Sequence, residues 1–186
     1  SYVKKRLKVV VVSSAMSEET NKLIKLTKEL SKNFTPSEYD SLLATGEQVS
    51  CSLIAGRLND QGYLARSWQS WQIPIITTGK HSHSRIVNIN KKNIIKFLKK
   101  GGIPIITGFQ GINSENRITT TGRGGSDASA IMMAKFLKAE KCIIYTDVDG
   151  VYTTDPNLVA RAKKIKKISY EEMLEMASLG AKVMQP

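Results

Sequence analysis

A chain of 186 residues can bury a core of its own, and it is most simply one domain. The formal net charge of +12 comes from basic residues that are spread along the chain without interleaved aromatic residues, which argues against a surface that stacks nucleic-acid bases. No apolar run approaches the length of a membrane span, and the two cysteines have neither metal-ligand spacing nor the density of a disulfide framework. These features predict a cytoplasmic protein with no membrane partner and no sequence-specific nucleic-acid partner.

Strand-like apolar runs alternate along the chain with helical segments, which is typical of a mainly parallel sheet covered by helices. The predicted fold class is therefore α/β, a three-layer α/β/α sandwich. The predicted strands are 7–12, 63–67, 73–77, 86–89, 103–107, 118–120 and 142–146. The predicted helices are 18–30, 35–60 with a break at Gly46, 91–100, 128–137 and 169–179.

Two of these helices begin with a capping-box pattern, in which a Ser or Thr is followed three residues later by Glu. The first is formed by Thr35 and Glu38, with Pro36 at the first helical position, where proline is favoured. The second is formed by Ser169 and Glu172. Each pattern predicts that the hydroxyl and the carboxylate bond reciprocally to backbone N–H groups at the start of the helix.

The most informative segment is Thr-Gly-Arg-Gly-Gly-Ser-Asp at 121–127, which leads directly into the predicted helix 128–137. Glycine lets backbone N–H groups approach an anion, and a helix N-terminus favours negative charge. Arg123 adds a planar guanidinium suited to a carboxylate or phosphate. The spacing is neither the dinucleotide fingerprint nor a Walker A loop, and it predicts a phosphate-handling enzyme of another architecture. The alternative is an ordinary turn with a surface Arg123 and an N-capping Asp127.

A second polar segment, Thr-Asp-Val-Asp-Gly-Val-Tyr at 146–152, follows the last predicted strand. Ligands bind at the carboxyl ends of strands in α/β sheets, so the two segments together predict a site for two anionic ligands. Asp147 and Asp149 could form a metal pair, but no third carboxylate or histidine lies nearby in the sequence, and we predict no metal held by the protein. His81 and His83 are predicted to lie in a loop rather than to bind metal.

Five motifs, in the same order along nearly the whole chain, resemble aspartokinase, the aspartate-specific branch of the amino-acid kinases. The motif TDVDGVYT is shared more widely, with uridylate and glutamate kinases, whereas GRGGSD together with TGE and FQG is much more specific. The motifs are ATGEQVS at 44–50, GFQG at 108–111, TGRGGSDASA at 121–130, TDVDGVYTTDP at 146–156, and ISYEEM at 168–173 continuing to GAKV at 180–183.

The resemblance implies that the protein transfers the γ-phosphoryl group of ATP to the side-chain carboxylate of L-aspartate, giving 4-phospho-L-aspartate and ADP, the entry to lysine, threonine and methionine biosynthesis. Mg²⁺ would arrive with the nucleotide. The resemblance also implies a homo-oligomer in the full-length form and an amino-acid kinase catalytic domain over 1–186 that is incomplete at both ends, because neither the usual first strand with its glycine turn nor the regulatory ACT domains occur in the sequence. Low activity is therefore expected of this chain alone.

The resemblance also assigns an acceptor site. Glu47 would accept hydrogen bonds from the ammonium group of aspartate, and Arg123 would clamp a carboxylate through paired hydrogen bonds. The implied aspartate-binding residues are Thr20, Glu47, Arg123, Gly124, Gly125 and Ser126.

For phosphoryl transfer, the resemblance implies that Asp127 orients lysines around the transferring group and that Lys182 reaches the ATP phosphates. Two positions depart from the family pattern, since Asn157 replaces an arginine and Gln185 replaces a histidine. The implied catalytic residues are Asp127 and Lys182, and the implied ATP-binding residues are Thr146, Asp147, Tyr152, Lys182 and Val183.

Two other functions remain open from the sequence. One is a catalytically impaired kinase remnant that binds nucleotide or nucleic acid, which the positive charge and the missing first strand favour. The other is a related amino-acid kinase with glutamate or a nucleotide as its acceptor, against which the GRGGSD motif argues.

Overall fold

The structure, a computed structural model, describes residues 7–122, 124–146, 150–154 and 158–178. The chain comprises two compact units, Ser1–Cys142 and Ile143–Pro186. None of the described helices is long and apolar enough to cross a membrane. The second unit contains α6 (Tyr170–Ser178), and the described elements of the first unit are β1 (Val11–Ser13), α1 (Glu19–Leu30), α2 (Pro36–Leu43), α3 (Thr45–Asp60), β2 (Ala65–Trp68), β3 (Ile75–Thr77), β4 (Ile86–Ile89), α4 (Lys92–Lys99), β5 (Ile103–Thr107), β6 (Gln110–Ile112), β7 (Ile118–Thr120) and α5 (Gly125–Leu137).

The first sheet is parallel and has the strand order β1-β5-β2. The central strand β5 has the sequence Ile-Pro-Ile-Ile-Thr, and every one of these residues is buried. A strand that is covered on both faces needs apolar side chains at successive positions rather than at alternate ones. For this reason the apolar run 103–107 predicts the strand correctly, with the same bounds.

Helices pack against both faces of the parallel sheet. On one face, Ile105 of β5 packs with Cys51 of α3. On the other face, Ile106 of β5 packs with Ile94 of α4 and Met133 of α5 in a second core cluster. Neighbouring residues of a strand point to opposite faces, so one short strand contributes to both cores. The predicted three-layer α/β/α arrangement is confirmed.

The second sheet is mixed, with the strand order β4-β3-β6-β7. β3 pairs parallel with β6 and antiparallel with β4, while β6 and β7 form an antiparallel hairpin. β6 is absent from the predicted strands because glycine, here Gly111, is depleted in strands. A Cβ at Gly111 would lie 2.3 Å from Cγ2 of Thr77 and 2.6 Å from the carbonyl oxygen of Ile75, so the close approach of β3 and β6 requires glycine.

The helices that follow β1 differ from the predicted ones in their bounds. The predicted helix 35–60 is divided at Ala44 into α2 and α3 rather than at Gly46. Gly46 lies inside α3, where a Cβ would be 2.8 Å from Cβ of Ala15, so glycine lets this helix approach the end of β1. β1 itself is shorter than predicted and begins at Val11.

The two capping-box patterns have different outcomes. The first prediction is wrong, because Thr35 makes no side-chain cap bond and the carboxylate of Glu38 is paired with the guanidinium of Arg117. The second is confirmed: the N–H of Ser169 donates to Oε2 of Glu172 at 2.8 Å, and the N–H of Glu172 donates to Oγ of Ser169 at 3.1 Å. Both bonds lower the pKa of Glu172.

The predicted strand 142–146 is wrong. This segment has no regular secondary structure, and Ile143 and Tyr145 are 48% and 80% exposed. A strand needs a ladder of backbone hydrogen bonds to a neighbouring strand, and the described strands of the two sheets do not include this segment. Apolar composition over five residues is therefore too weak a signal to predict a strand by itself.

Candidate active site

A pocket of about 270 Å³ lies at the carboxyl ends of β1 and β5. Ligands of α/β proteins bind at this edge of a parallel sheet. All of the residues that line the pocket belong to the first compact unit. They are Ser14, Ala15, Thr20, Glu47, Phe109, Gly122, Gly124, Gly125, Ser126 and Asp127.

Glu47 supplies a buried carboxylate to one wall of the pocket. It lies in the first turn of α3 and is 3% exposed. The N–H of Ala15 donates to its Oε1 at 3.1 Å, while its Oε2 is buried and has no hydrogen-bond partner among the described residues. Burial raises the pKa of Glu47 from an ordinary 4.5 to about 7, and backbone hydrogen bonds offset this rise only in part. A cationic donor at Oε2 would complete the hydrogen bonding and favour the ionised form.

Two buried side chains hold the start of α3 against the sheet. Oγ of Ser50 donates to the carbonyl oxygen of Ser14 at 2.6 Å, which ties the second turn of α3 to the residue after β1. Nε2 of Gln110 donates to the carbonyl oxygen of Ala44 at 2.9 Å, directly before the helix. The start of α3 is therefore tied to the residue after β1 and to β6, and the N–H of Ala15 holds the carboxylate of Glu47.

Three glycines of the glycine-rich segment, Gly122, Gly124 and Gly125, also line the pocket, next to the N-terminus of α5. Gly122 and Gly124 have φ values of 78° and 71°, in the left-handed region that glycine adopts without strain. Gly125 is packed so closely that a Cβ would lie 2.1 Å from Oγ1 of Thr121. The glycines thus allow a tight turn at a helix N-terminus, where N–H groups and the helix dipole favour a bound anion.

The backbone of Phe109 braces this loop from the end of β5. Its N–H donates to Oγ of Ser129 at 3.0 Å, and the Ser129 hydroxyl donates to the carbonyl oxygen of Gly125 at 2.7 Å. Its carbonyl oxygen accepts from the N–H and the Oγ1 of Thr121 at 2.9 and 3.1 Å. Phe109 has a φ of 64°, which is strained for an aromatic residue, and these bonds hold it there.

Asp127 lies in the first turn of α5 and lines the same pocket. Partial burial raises its pKa. The pKa of the Cys142 thiol is raised mainly by burial of Cys142 itself and, to a smaller extent, by the negative charge of Asp127. Asp127 therefore brings a second carboxylate to the lining of the pocket.

The structure brings together six of the predicted site residues in the first unit and describes two more in the second unit. Thr146 and Tyr152 belong to the second unit, in which Tyr152 forms an isolated antiparallel bridge with Lys164. Arg123, Asp147, Lys182 and Val183 lie outside the described residues, as do Asn157 and Gln185. The six that line the pocket are Thr20, Glu47, Gly124, Gly125, Ser126 and Asp127.

Four pocket residues were not predicted as site residues. Gly122 belongs to the predicted glycine-rich segment and Phe109 to the FQG motif, so the sequence carried a signal for both. Ser14 and Ala15 carried none beyond their place after a predicted strand.

Within 7–122, 124–146, 150–154 and 158–178, no group of three His, Cys, Asp or Glu side chains is placed to hold a metal ion. The predicted Mg²⁺ would be carried by nucleotide phosphates and needs no such group.

Comparison with known proteins identifies the family of this chain. The family model for the Amino acid kinase family matches residues 1–186, and the chain belongs to this family. It is 52% identical to the aspartokinase of Geobacillus stearothermophilus over 184 residues, which is 99% of this chain and 45% of that protein. It is 50% identical to aspartokinase 2 of Bacillus subtilis over 178 residues, 96% of this chain and 44% of that protein.

Solved structures show the same similarity. The E. coli aspartokinase III structure in complex with aspartate and ADP superposes with a TM-score of 0.79 at 32% identity, covering 89% of this chain and 38% of that one. The aspartate kinase of Synechocystis superposes with a TM-score of 0.82 at 43% identity, covering all of this chain and 30% of that one. The chain thus spans less than half the length of these relatives, and the α/β fold class is confirmed.

Proposed function

We propose that the protein to which this chain belongs is an aspartate kinase. It transfers the γ-phosphoryl group of ATP to the side-chain carboxylate of L-aspartate, and the products are 4-phospho-L-aspartate and ADP. This places it in the cytoplasm at the entry to lysine, diaminopimelate, threonine and methionine biosynthesis. The relatives named aspartokinase, which are 52% and 50% identical to this chain, support this activity.

The observation that carries the proposal is that one small pocket contains both a group that suits a cation and a group that suits an anion. Glu47 offers a buried carboxylate oxygen without a partner among the described residues, which suits an ammonium group. The glycine-rich turn at the N-terminus of α5 suits a carboxylate. An α-amino acid carries both groups on one carbon, and a pocket of about 270 Å³ has room for a small one.

The reaction needs alignment and charge stabilisation rather than a general base. The acceptor carboxylate is already ionised, so one of its oxygens attacks the γ-phosphorus directly while the bond to the bridging oxygen of ADP breaks. Asp127 orients lysines around the transferring phosphoryl group, and Lys182 neutralises charge on the phosphates. The charge on a transferring phosphoryl group lies mainly on its equatorial oxygens, so these cations supply the main catalytic effect.

The substrate contacts follow the same assignment. Thr20, Glu47, Arg123, Gly124, Gly125 and Ser126 bind aspartate. Thr146, Asp147, Tyr152, Lys182 and Val183 bind ATP, which brings its own Mg²⁺. We include in the proposal a homo-oligomeric full-length protein without a specific nucleic-acid or membrane partner.

The test is acceptor-dependent turnover by the full-length protein. ADP release is measured with L-aspartate, L-glutamate and a nucleoside monophosphate, and the acyl phosphate is trapped with hydroxylamine to separate transfer from ATP hydrolysis. We expect turnover with aspartate and a trapped aspartyl product. Asp127→Asn should lower kcat by roughly 100-fold or more, whereas the exposed control Asp60→Asn should not. Equal turnover with glutamate, or ADP release without a trapped product, would contradict the proposal.

A further inference from the structure

Asp40, near the middle of α2, is a fully buried carboxylate that does not line the pocket. Oδ1 accepts from the hydroxyl of Thr120 at 2.7 Å and the hydroxyl of Ser82 at 3.1 Å. Oδ2 accepts from the N–H of Ser82 at 2.9 Å and the N–H of Thr120 at 3.0 Å, and lies 2.9 Å from Nδ1 of His81. Burying a charge is costly unless it is hydrogen-bonded, and here both oxygens are fully used.

These bonds join two segments that are distant in sequence. His81 and Ser82 lie in the loop between β3 and β4, and Thr120 is the last residue of β7. The N–H of Ser84 also donates to the carbonyl oxygen of Thr120 at 2.9 Å, so the loop is attached to the strand end twice. Thr120 is followed directly by the glycine-rich segment. The Asp40 cluster, which is Asp40 with His81, Ser82 and Thr120, therefore fixes the residue from which that segment starts.

The loop between β3 and β4 also packs closely against Gly122, which lines the pocket. A Cβ at Gly122 would lie 3.0 Å from the carbonyl oxygen of Ser82 and 3.2 Å from Nδ1 of His83. Ser82 has a φ of 63°, a conformation that residues other than glycine, asparagine and aspartate rarely adopt. Asp40 accepts from both the N–H and the hydroxyl of Ser82, and these bonds hold the strained residue against Gly122.

We propose that Asp40 is a positioning residue for the acceptor pocket. Asp40 does not line the pocket, and it acts through Ser82 and Thr120, which set the place of Gly122 and so of the turn that binds the acceptor carboxylate. The proposal rests on the proposed acceptor role of this pocket. If Asp40 were purely structural, weakening its hydrogen bonds would instead lower the stability and change KM for both substrates alike.

The test uses the full-length protein and removes single hydroxyl bonds, since Asp40 itself is too buried to change without loss of stability. Thr120→Val and Ser82→Ala each remove one donor to Asp40 and keep its backbone donors. Each should raise KM for the acceptor by roughly 3- to 30-fold, the range of coupling through packed networks, and leave KM for ATP within about twofold. Thr120→Ser keeps the hydroxyl and should restore the acceptor KM.

Thr77→Val is the matched control. It removes a buried hydroxyl pair, with Thr119 at 2.7 Å, from the same sheet and away from the pocket lining. The positioning role would be overturned by any of three results. The acceptor KM could rise equally in the Thr77→Val control, KM for ATP could rise as much as the acceptor KM in the two test variants, or the acceptor KM could rise in neither test variant. If the wild-type protein uses an acceptor other than aspartate, the proposed function fails. The role of Asp40 is then still decided by whether the variants raise KM for that acceptor more than KM for ATP.

Discussion

Asp40 and Glu47 are two buried carboxylates on consecutive helices, and their surroundings differ in one respect. Both oxygens of Asp40 are filled by donors from Ser82, Thr120 and His81. Glu47 has one oxygen bonded to a backbone N–H, and its Oε2 lacks a partner among the described residues. Burial by itself therefore marks neither a binding site nor a structural role. The unused hydrogen-bonding capacity of Glu47 is what indicates a ligand.

The difference has an electrostatic consequence. A buried carboxylate without enough donors keeps its proton to a higher pH, and burial raises the pKa of Glu47 to about 7. Near neutral pH the empty pocket therefore holds a mixture of neutral and ionised Glu47. A ligand ammonium group would favour the ionised form, so binding would release a proton.

Breaking the Asp40 cluster outright should have the largest effect. Asp40→Ala removes both carboxylate oxygens, so the backbone N–H groups of Ser82 and Thr120 lose their acceptor in a fully buried place. We expect the free energy of unfolding to fall by about 3–5 kcal/mol, because each buried donor left without an acceptor costs about 1–3 kcal/mol and two backbone donors are affected. Urea denaturation of the full-length protein measures this, and a loss below about 1 kcal/mol would mean that the cluster is not a brace.

Glu47 should respond to pH in the opposite way to a well-bonded carboxylate. Its pKa is raised in the folded state, from 4.5 to about 7, so its favourable contribution is complete below pH 4.5 and is lost as the pH rises towards 7. The expected loss between pH 4.5 and 8 is on the order of 2–3 kcal/mol. Unfolding of wild type and Glu47→Gln is compared at both pH values.

The Glu47→Gln variant should lack most of this pH dependence. Asp127 also has a raised pKa and contributes in the same direction, but it is present in both proteins and cancels from the difference. Equal pH dependence in the two proteins would show that Glu47 ionises normally.

The brace around Phe109 should give a smaller effect that is confined to the acceptor. Ser129→Ala removes the acceptor of the Phe109 N–H and the donor to the Gly125 carbonyl, both next to the glycine-rich turn. We expect a stability loss of about 1 kcal/mol and a several-fold rise in KM for aspartate. Ser52→Ala is the control, because its hydroxyl bonds an exposed carbonyl within α3. Steady-state kinetics with each substrate varied would contradict the account if both variants behaved alike.

The sequence predicted the parts of this site that are local. The glycine-rich turn and the helix after it are encoded within a few neighbouring residues, and the apolar run of β5 is continuous. Glu47 was assigned through resemblance alone, since nothing around a helical glutamate indicates that its second oxygen will be buried without a partner.

The sequence could not predict the parts that depend on distant contacts. Asp40 bonds to residues 42 and 80 positions away, and no local pattern indicates either partner. At Thr35 the capping pattern did not form, and Glu38 pairs instead with Arg117, far along the chain, whereas the same pattern at Ser169 formed. β6 escaped prediction for a similar reason, because the neighbour that makes Gly111 necessary is β3.

The central claim is that Oε2 of Glu47 binds the ammonium group of an amino-acid acceptor. Succinate has the two carboxylates of aspartate and no ammonium group, so the pair of ligands isolates that contact. Binding of both ligands to full-length wild type and Glu47→Gln is measured by calorimetry at pH 8, where Glu47, with a pKa of about 7, is mostly ionised.

We expect wild type to bind aspartate roughly 10- to 100-fold more tightly than succinate, the value of a hydrogen bond between charged groups, and Glu47→Gln to bind the two ligands about equally. Glu29→Gln, an exposed control on α1, should keep the wild-type ratio. A ratio that is unchanged in Glu47→Gln would contradict the claim and remove Glu47 from the ammonium site.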